Sequence, residues 1–191
     1  MDSQDRQNQK VPDFASNEIN SVIFGDVFST YGSIVVRNLL DISLIDEIRL
    51  KAENAYALAD ELSLTGKDLG KEFKDFGHLS AKFAETENGQ PQILELFCNS
   101  RIPPLYRELL GPEIKILVDN SLPRRQHPRR HNPPVPFHQD ASFLGDPGLI
   151  INSWIPLNEA GLNAPGIEIL LRPETKVHKQ AEFKSKPPTT Y

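Results

Sequence analysis

Hydrophobic residues recur at the spacing of a helix over residues 43–62. Intervals of three or four positions place them on one helix face, and polar residues occupy the other face. These apolar positions are Leu44, Ile45, Ile48, Ala52, Ala55, Tyr56, Ala59 and Leu62. Ser43 directly precedes them and is a favourable N-cap residue, with Asp46 three positions later. The pattern therefore predicts an amphipathic helix over 43–62.

Outside this helix, the predicted elements change from mainly helices to strands near residue 113. The first part of the chain predicts three shorter helices, at 17–30, 91–98 and 103–110. It also predicts a strand at 34–40 and a loop at 65–77. The second part is rich in β-branched runs and prolines, and it predicts four strands, at 114–118, 137–143, 149–157 and 167–171. Helices followed by strands predict an α+β fold.

Length and composition favour one globular domain. The chain has 191 residues, of which 38% are apolar and 25% are charged. We expect the domain to span 17–173, between a polar leader at 1–16 and a polar, lysine-rich tail at 174–191. No apolar run approaches the length of a membrane span, and the first residues lack the apolar core of a signal peptide. The sequence therefore predicts no membrane partner.

The chain has one cysteine, Cys98, so an intrachain disulfide is impossible. A reducing compartment suits such a chain, and we expect a cytoplasmic location. Cys98 lies on a predicted helix among apolar residues. The sequence predicts a buried, structural role for it.

The net charge of −5 does not favour nucleic acid as a partner. A basic run nevertheless occupies residues 124–131, inside a proline-rich loop predicted at 123–136. Three interpretations remain open: a solvated loop, a contact for an anionic substrate or cosubstrate, and a nucleic-acid contact. The run has no interleaved aromatic residues, which makes the third the weakest.

The strongest chemical signal is the pair His138 and Asp140. Residues two apart on a strand point to the same face, so an imidazole and a carboxylate would converge there. Such a pair can supply two of the three ligands of a 2-His-1-carboxylate iron site. We expect the nearest nitrogen and oxygen atoms to lie within about 5 Å, because both must reach one metal. Phe137, Phe143 and Ile150 are expected to keep the site dry.

Four segments around this pair resemble the phytanoyl-CoA dioxygenase family, in the family's order. They are Gly-Ser-Ile-Val-Val-Arg-Asn-Leu-Leu at 32–40, Phe-His-Gln-Asp at 137–140, Trp-Ile-Pro-Leu at 154–157 and Asn-Ala-Pro-Gly-Ile-Glu at 163–168. The His-Gln-Asp motif with a downstream tryptophan is fairly specific to the family. The other segments are weak signals when each is taken alone.

The resemblance implies a double-stranded β-helix, which is a cupin-like jelly roll, beneath an N-terminal helical layer. It also implies an oxygenase that uses Fe(II) and 2-oxoglutarate to hydroxylate a small organic substrate. His138 and Asp140 would be iron ligands. Gln139, Trp154 and Asn120 would lie beside the 2-oxoglutarate.

The chain departs from the family pattern after Asp140. The family has a further histidine ligand and an arginine on a late strand. At about 5–6 residues for each strand and about 4 for each loop, too few residues follow Asp140 in this chain for the remaining strands. His178 is the only later histidine. We therefore expect a C-terminally truncated jelly roll that binds Fe(II) weakly, catalyses poorly and associates through unpaired strands. The alternative is a non-catalytic jelly-roll or interaction protein without a complete metal site.

Overall fold

The structure is a computed structural model that describes residues 10–68, 73–75, 79–81, 89–117, 121–125, 137–140, 150–161, 163–164 and 166–171. Its described part contains four helices: α1 (Ser21–Tyr31), α2 (Ile42–Leu64), α3 (Gly89–Cys98) and α4 (Ile102–Leu110). Each corresponds to a helix that the sequence predicts, with ends that differ by a few residues. The four predicted helices are therefore confirmed.

The described strands are short and form two small sheets. They are β1 (Asp13–Ala15), β2 (Val35–Arg37), β3 (Phe73–Asp75), β4 (Leu79–Ala81) and β5 (Arg124–Arg125). β1 pairs with β2 in parallel, and β4 pairs antiparallel with both β3 and β5. Helices and small sheets together confirm the α+β class. A jelly roll is not seen in the part of the chain that the structure describes.

Local capping explains where α1 begins and ends. Asn20 precedes the helix in an extended conformation, and its Oδ1 accepts a hydrogen bond from the Ile23 amide at 2.9 Å. Gly32 ends the helix at φ 74°, a left-handed conformation that glycine adopts at little cost, and its amide donates to the Phe28 carbonyl at 2.7 Å. Residues 17–19 of the predicted helix therefore lie before the cap.

The N-cap of α2 lies two positions before the predicted one. Asp41, not Ser43, is the N-cap: its Oδ1 accepts from the Ser43 amide at 2.8 Å and from the Ser43 hydroxyl at 2.7 Å. A carboxylate accepts both bonds at once, so the helix starts at Ile42. The predicted buried face is confirmed at Ile45, Ile48, Ala52, Tyr56 and Ala59.

Two hydrophobic clusters hold the helices together. The first core joins α2 to α3, and its buried residues are Ile45, Ile48, Ala52, Tyr56, Ala59 and Leu96. The second core joins α1 to α4, and its buried residues are Ile19, Phe24, Ile102, Leu105 and Tyr106. Gly25 allows the close approach of α1 and α4, because a Cβ there would lie 3.0 Å from Glu108 Cγ. The helical layer expected from the sequence is thus built on two small cores.

The four strands predicted in the second half are wrong for the residues that the structure describes. Residues 114–117, 137–140, 150–157 and 167–171 have no strand assignment, while 118, 141–143 and 149 lie outside the described part. A period of two predicts which side chains are buried, but a strand also needs a neighbouring backbone to pair with. Ile155 and Leu157 are half-buried on either side of an exposed residue, but 152–154 are all exposed, so burial does not alternate along the whole segment.

Other predictions fail where pairing or geometry overrides composition. The loop predicted at 65–77 contains β3, because β4 lies alongside it. β1 falls inside the predicted leader 1–16, because it pairs with β2. Cys98 is exposed rather than buried; it ends α3, about 200° around the helix from the buried Leu96. The predicted tail at 174–191 lies outside the described residues.

None of the helices in the described part combines the length and the hydropathy that crossing a bilayer requires.

Candidate metal centre

His138 and Asp140 lie side by side, as the sequence predicts. His138 Nε2 is 3.2 Å from Asp140 Oδ1, and 28% and 40% of the two side chains are exposed. The expected distance below about 5 Å is therefore confirmed. The reason differs from the prediction, because residues 137–140 run through a bend into a turn rather than along a strand.

The second carboxylate oxygen of Asp140 has its own partner. Asn152 Nδ2 donates a hydrogen bond to Asp140 Oδ2 at 2.5 Å. One oxygen thus faces an imidazole and the other accepts from an amide. The carboxylate is held from both sides, so its rotation about the Cβ–Cγ bond is restricted.

The 150–157 segment carries Asn152 and is attached to both cores. Ile151 packs against the second core, and Ile155 and Leu157 pack against the first. Ser153 Oγ shares a hydrogen bond of 2.7 Å with Tyr106 Oη on α4. Asn152 lies between two anchored neighbours, so the helices fix its backbone.

Tyr106 is buried at this junction, and its environment alters its ionisation. Burial raises the pKa of the Tyr106 hydroxyl, because the phenolate would lose its water. The hydrogen bond with Ser153 opposes part of that rise. The neutral phenol is therefore the form that links α4 to the 150–157 segment.

The geometry of the His138–Asp140 pair fits a metal ion. Two donors that each lie about 2.1 Å from one ion, at right angles, are about 3.0 Å apart. The observed 3.2 Å is close to that value, and it is also the separation of a direct contact between imidazole and carboxylate. Imidazole nitrogen and carboxylate oxygen are ligands that Fe(II) accepts in oxygenases. The described residues offer no group of three His, Cys, Asp or Glu side chains that could hold an ion.

The predicted neighbours of the pair are only partly where the sequence placed them. Phe137 is 51% exposed and Trp154 is 50% exposed. Phe137 does not close the site off from water, so the dry apolar shell is wrong at that position. Gln139 is partly buried next to the pair. Asn120, Phe143 and His178 lie outside the described residues.

The start of the basic run has a structural role. Arg125 donates from two nitrogens to the Asp60 carboxylate on α2, at 2.9 and 2.6 Å. Its guanidinium carbon lies 4.6 Å from the centre of the Tyr56 ring. The interpretation as a solvated loop is wrong at Arg125, whereas Arg124 is exposed. Residues 126–131 lie outside the described part.

A separate cleft of about 690 Å³ lies beside the N-terminus of α2. Its lining includes three acidic residues, Asp41, Glu47 and Glu95, together with Arg101. The Arg101 guanidinium donates to the backbone carbonyls of Ser16 and Ile19. The candidate metal ligands do not line this cleft, so it is not part of the metal centre.

Asn152 is the residue of this site that sequence reasoning missed. Its polarity, directly after the apolar pair Ile150 and Ile151, indicates an outward position, and 152–154 are all exposed. Pattern alone does not say which outward residue meets Asp140.

No protein-family model, curated protein or solved structure matches this chain.

Proposed function

We propose that this chain is an Fe(II)- and 2-oxoglutarate-dependent oxygenase that hydroxylates a small organic substrate. The observation that carries the proposal is the 3.2 Å separation of His138 Nε2 and Asp140 Oδ1 on an accessible part of the surface. The resemblance of the His-Gln-Asp motif and of Trp154 to phytanoyl-CoA dioxygenases supports it. The jelly-roll fold and a cytoplasmic location belong to the same proposal.

His138 and Asp140 would hold the ion through one nitrogen and one oxygen. When bound, Fe(II) would activate O2, which is the oxidant, and oxidation of 2-oxoglutarate to succinate and CO2 would supply the two electrons that hydroxylation of the substrate does not. The chain's own contribution is to hold the two donors at cis spacing and leave the remaining positions open. Trp154 and Gln139 would border the 2-oxoglutarate, and Trp154 is exposed enough to contact it.

Metal binding is the first test. Co(II), a spectroscopic substitute for Fe(II), should bind the purified chain weakly, because the described residues supply two protein ligands. His138→Ala and Asp140→Ala should each weaken this binding at least tenfold. Asn158→Ala, an exposed asparagine farther along the chain, is the matched control and should bind as the wild type does. Binding that is indifferent to both His138 and Asp140 would overturn the proposal.

Turnover separates the oxygenase from the second candidate, a non-catalytic jelly-roll or interaction protein without a complete metal site. The pair's partial exposure and the lack of a third ligand among the described residues favour that candidate. Succinate formed from 2-oxoglutarate, dependent on Fe(II) and lost in His138→Ala, would establish the oxygenase. It would also contradict the expected poor catalysis and make His178→Ala the next variant. Metal binding without any succinate would refute the oxygenase proposal for this chain and favour the second candidate.

A further inference from the structure

The Asp140 carboxylate accepts a hydrogen bond from an uncharged side-chain amide, that of Asn152. Asn152 Nδ2 donates to Asp140 Oδ2 at 2.5 Å, while Oδ1 faces His138 Nε2 at 3.2 Å. A free aspartate carboxylate rotates broadly about its last torsion. With Oδ2 engaged, the carboxylate presents one defined oxygen to the imidazole side.

The position of Asn152 is itself fixed by the helices. Its neighbour Ile151 packs against the second core, and its other neighbour Ser153 shares a 2.7 Å hydrogen bond with Tyr106. The side chain of Asn152 is exposed, so it contributes little to core packing. Because the backbone on both sides of Asn152 is already held, its amide reaches Asp140 with little further loss of conformational entropy.

We propose that Asn152 is a positioning residue that sets Asp140 for single-oxygen ligation of the metal through Oδ1. This inference rests on the proposed function, because it assigns Asn152 a role toward the ion that His138 and Asp140 would hold. Hydrogen bonds to ligating carboxylates orient the ligand, and their loss typically weakens metal binding about 10–100-fold. Since this site is partly exposed, we expect a loss near the lower end of that range.

The experiment measures Co(II) binding, followed by visible absorption, to the full chain. Asn152→Leu keeps the size of the side chain and removes the donor, so it should weaken Co(II) binding about tenfold. Its Co(II) spectrum should shift toward that of Asp140→Ala, because the carboxylate no longer stays in place. Asn152→Gln retains an amide donor on a longer side chain and should recover part of the affinity. Asn158→Ala should behave as the wild type.

The outcomes separate this inference from the proposed function. If the wild type binds Co(II) through His138 and Asn152→Leu has the wild-type affinity and spectrum, the role of Asn152 is refuted and the metal centre stands. If the wild type does not bind Co(II) through His138, both fall. Thermal unfolding of the metal-free variants is the folding control, and an exposed residue such as Asn152 should leave the midpoint nearly unchanged.

Discussion

At the scale of single residues, Arg125 joins two parts of the chain that are distant in sequence. Its guanidinium binds both carboxylate oxygens of Asp60 and lies over the ring of Tyr56. Tyr56 Oη in turn donates to the Pro123 carbonyl at 2.8 Å. A two-bond contact between guanidinium and carboxylate is planar and directional, and the aromatic face adds attraction. Arg125 thereby holds β5 against α2.

Removal of Asp60 should therefore destabilise the fold. Asp60→Ala should lower the free energy of unfolding by about 1–2 kcal/mol, a value discounted because about half of Asp60 is exposed. Asp46→Ala is the matched control, since Asp46 pairs with Arg49 on the surface of the same helix. That control should leave the urea midpoint unchanged. Equal effects of the two substitutions would mean that the Arg125 contact contributes nothing beyond a surface pair.

At the scale of elements, the 150–157 segment is attached to α4 by a polar contact and to both cores by apolar ones. Tyr106 and Ser153 share the polar contact, and Ile151, Ile155 and Leu157 make the apolar ones. This segment also carries Asn152, which contacts Asp140. The stability of the α4 contact therefore bears on the geometry of the candidate metal centre.

The ionisation of Tyr106 makes this attachment dependent on pH. Burial raises the pKa of Tyr106 in the folded state, so its contribution is fully present below the unfolded value of about 10. That contribution is lost as the pH rises through the higher folded pKa, at up to about 1.4 kcal/mol per pH unit. Urea unfolding from pH 8.5 to 11 should show this loss in the wild type relative to Tyr106→Phe.

A matched variant tests whether Ser153 acts on that ionisation. Ser153→Ala removes the hydrogen bond that opposes the rise, so the pKa of Tyr106 should increase further. The titration is obtained as the difference in phenolate absorbance between each protein and its Tyr106→Phe counterpart. A Tyr106 that titrates at about 10, as a free tyrosine does, would contradict the buried contact with Ser153.

At the scale of the whole molecule, two small cores leave apolar surface uncovered. Several large side chains outside both cores are at least 42% exposed: Phe137, Trp154, Ile167, Ile169 and Leu170. The last three belong to residues 166–171, which pair with no strand in the described part of the chain. Unpaired apolar backbone is a template for pairing with another chain.

The chain should therefore associate with itself at raised concentration and bind an apolar dye. Ile167→Lys combined with Ile169→Lys should reduce association in sedimentation velocity and lower the dye signal, because charge opposes edge pairing. Leu64→Lys is the control: it changes a residue that is 88% exposed at the end of α2. A monomer that binds no dye and unfolds cooperatively at about 45–65 °C would refute the expectation.

The candidate site was only partly accessible to sequence reasoning. The residue types and spacing of His138 and Asp140 predicted their proximity, although the expected strand is a bend and a turn. The contact from Asn152 to Asp140 spans 12 positions, and that between Arg125 and Asp60 spans 65. Neither has a local signature, because many outward polar residues fit the same pattern equally well.

What the sequence by itself determined is the set of helices and their buried faces. Helix hydrogen bonds join residues four apart, so the apolar periodicity carries most of the information, whereas the N-caps Asn20 and Asp41 were identified only in the structure. Tertiary structure alone decided which extended segments pair, because a strand needs a partner that local sequence does not specify. It also decided that Asn152 meets Asp140, since anchoring of the 150–157 segment to both cores brings them together.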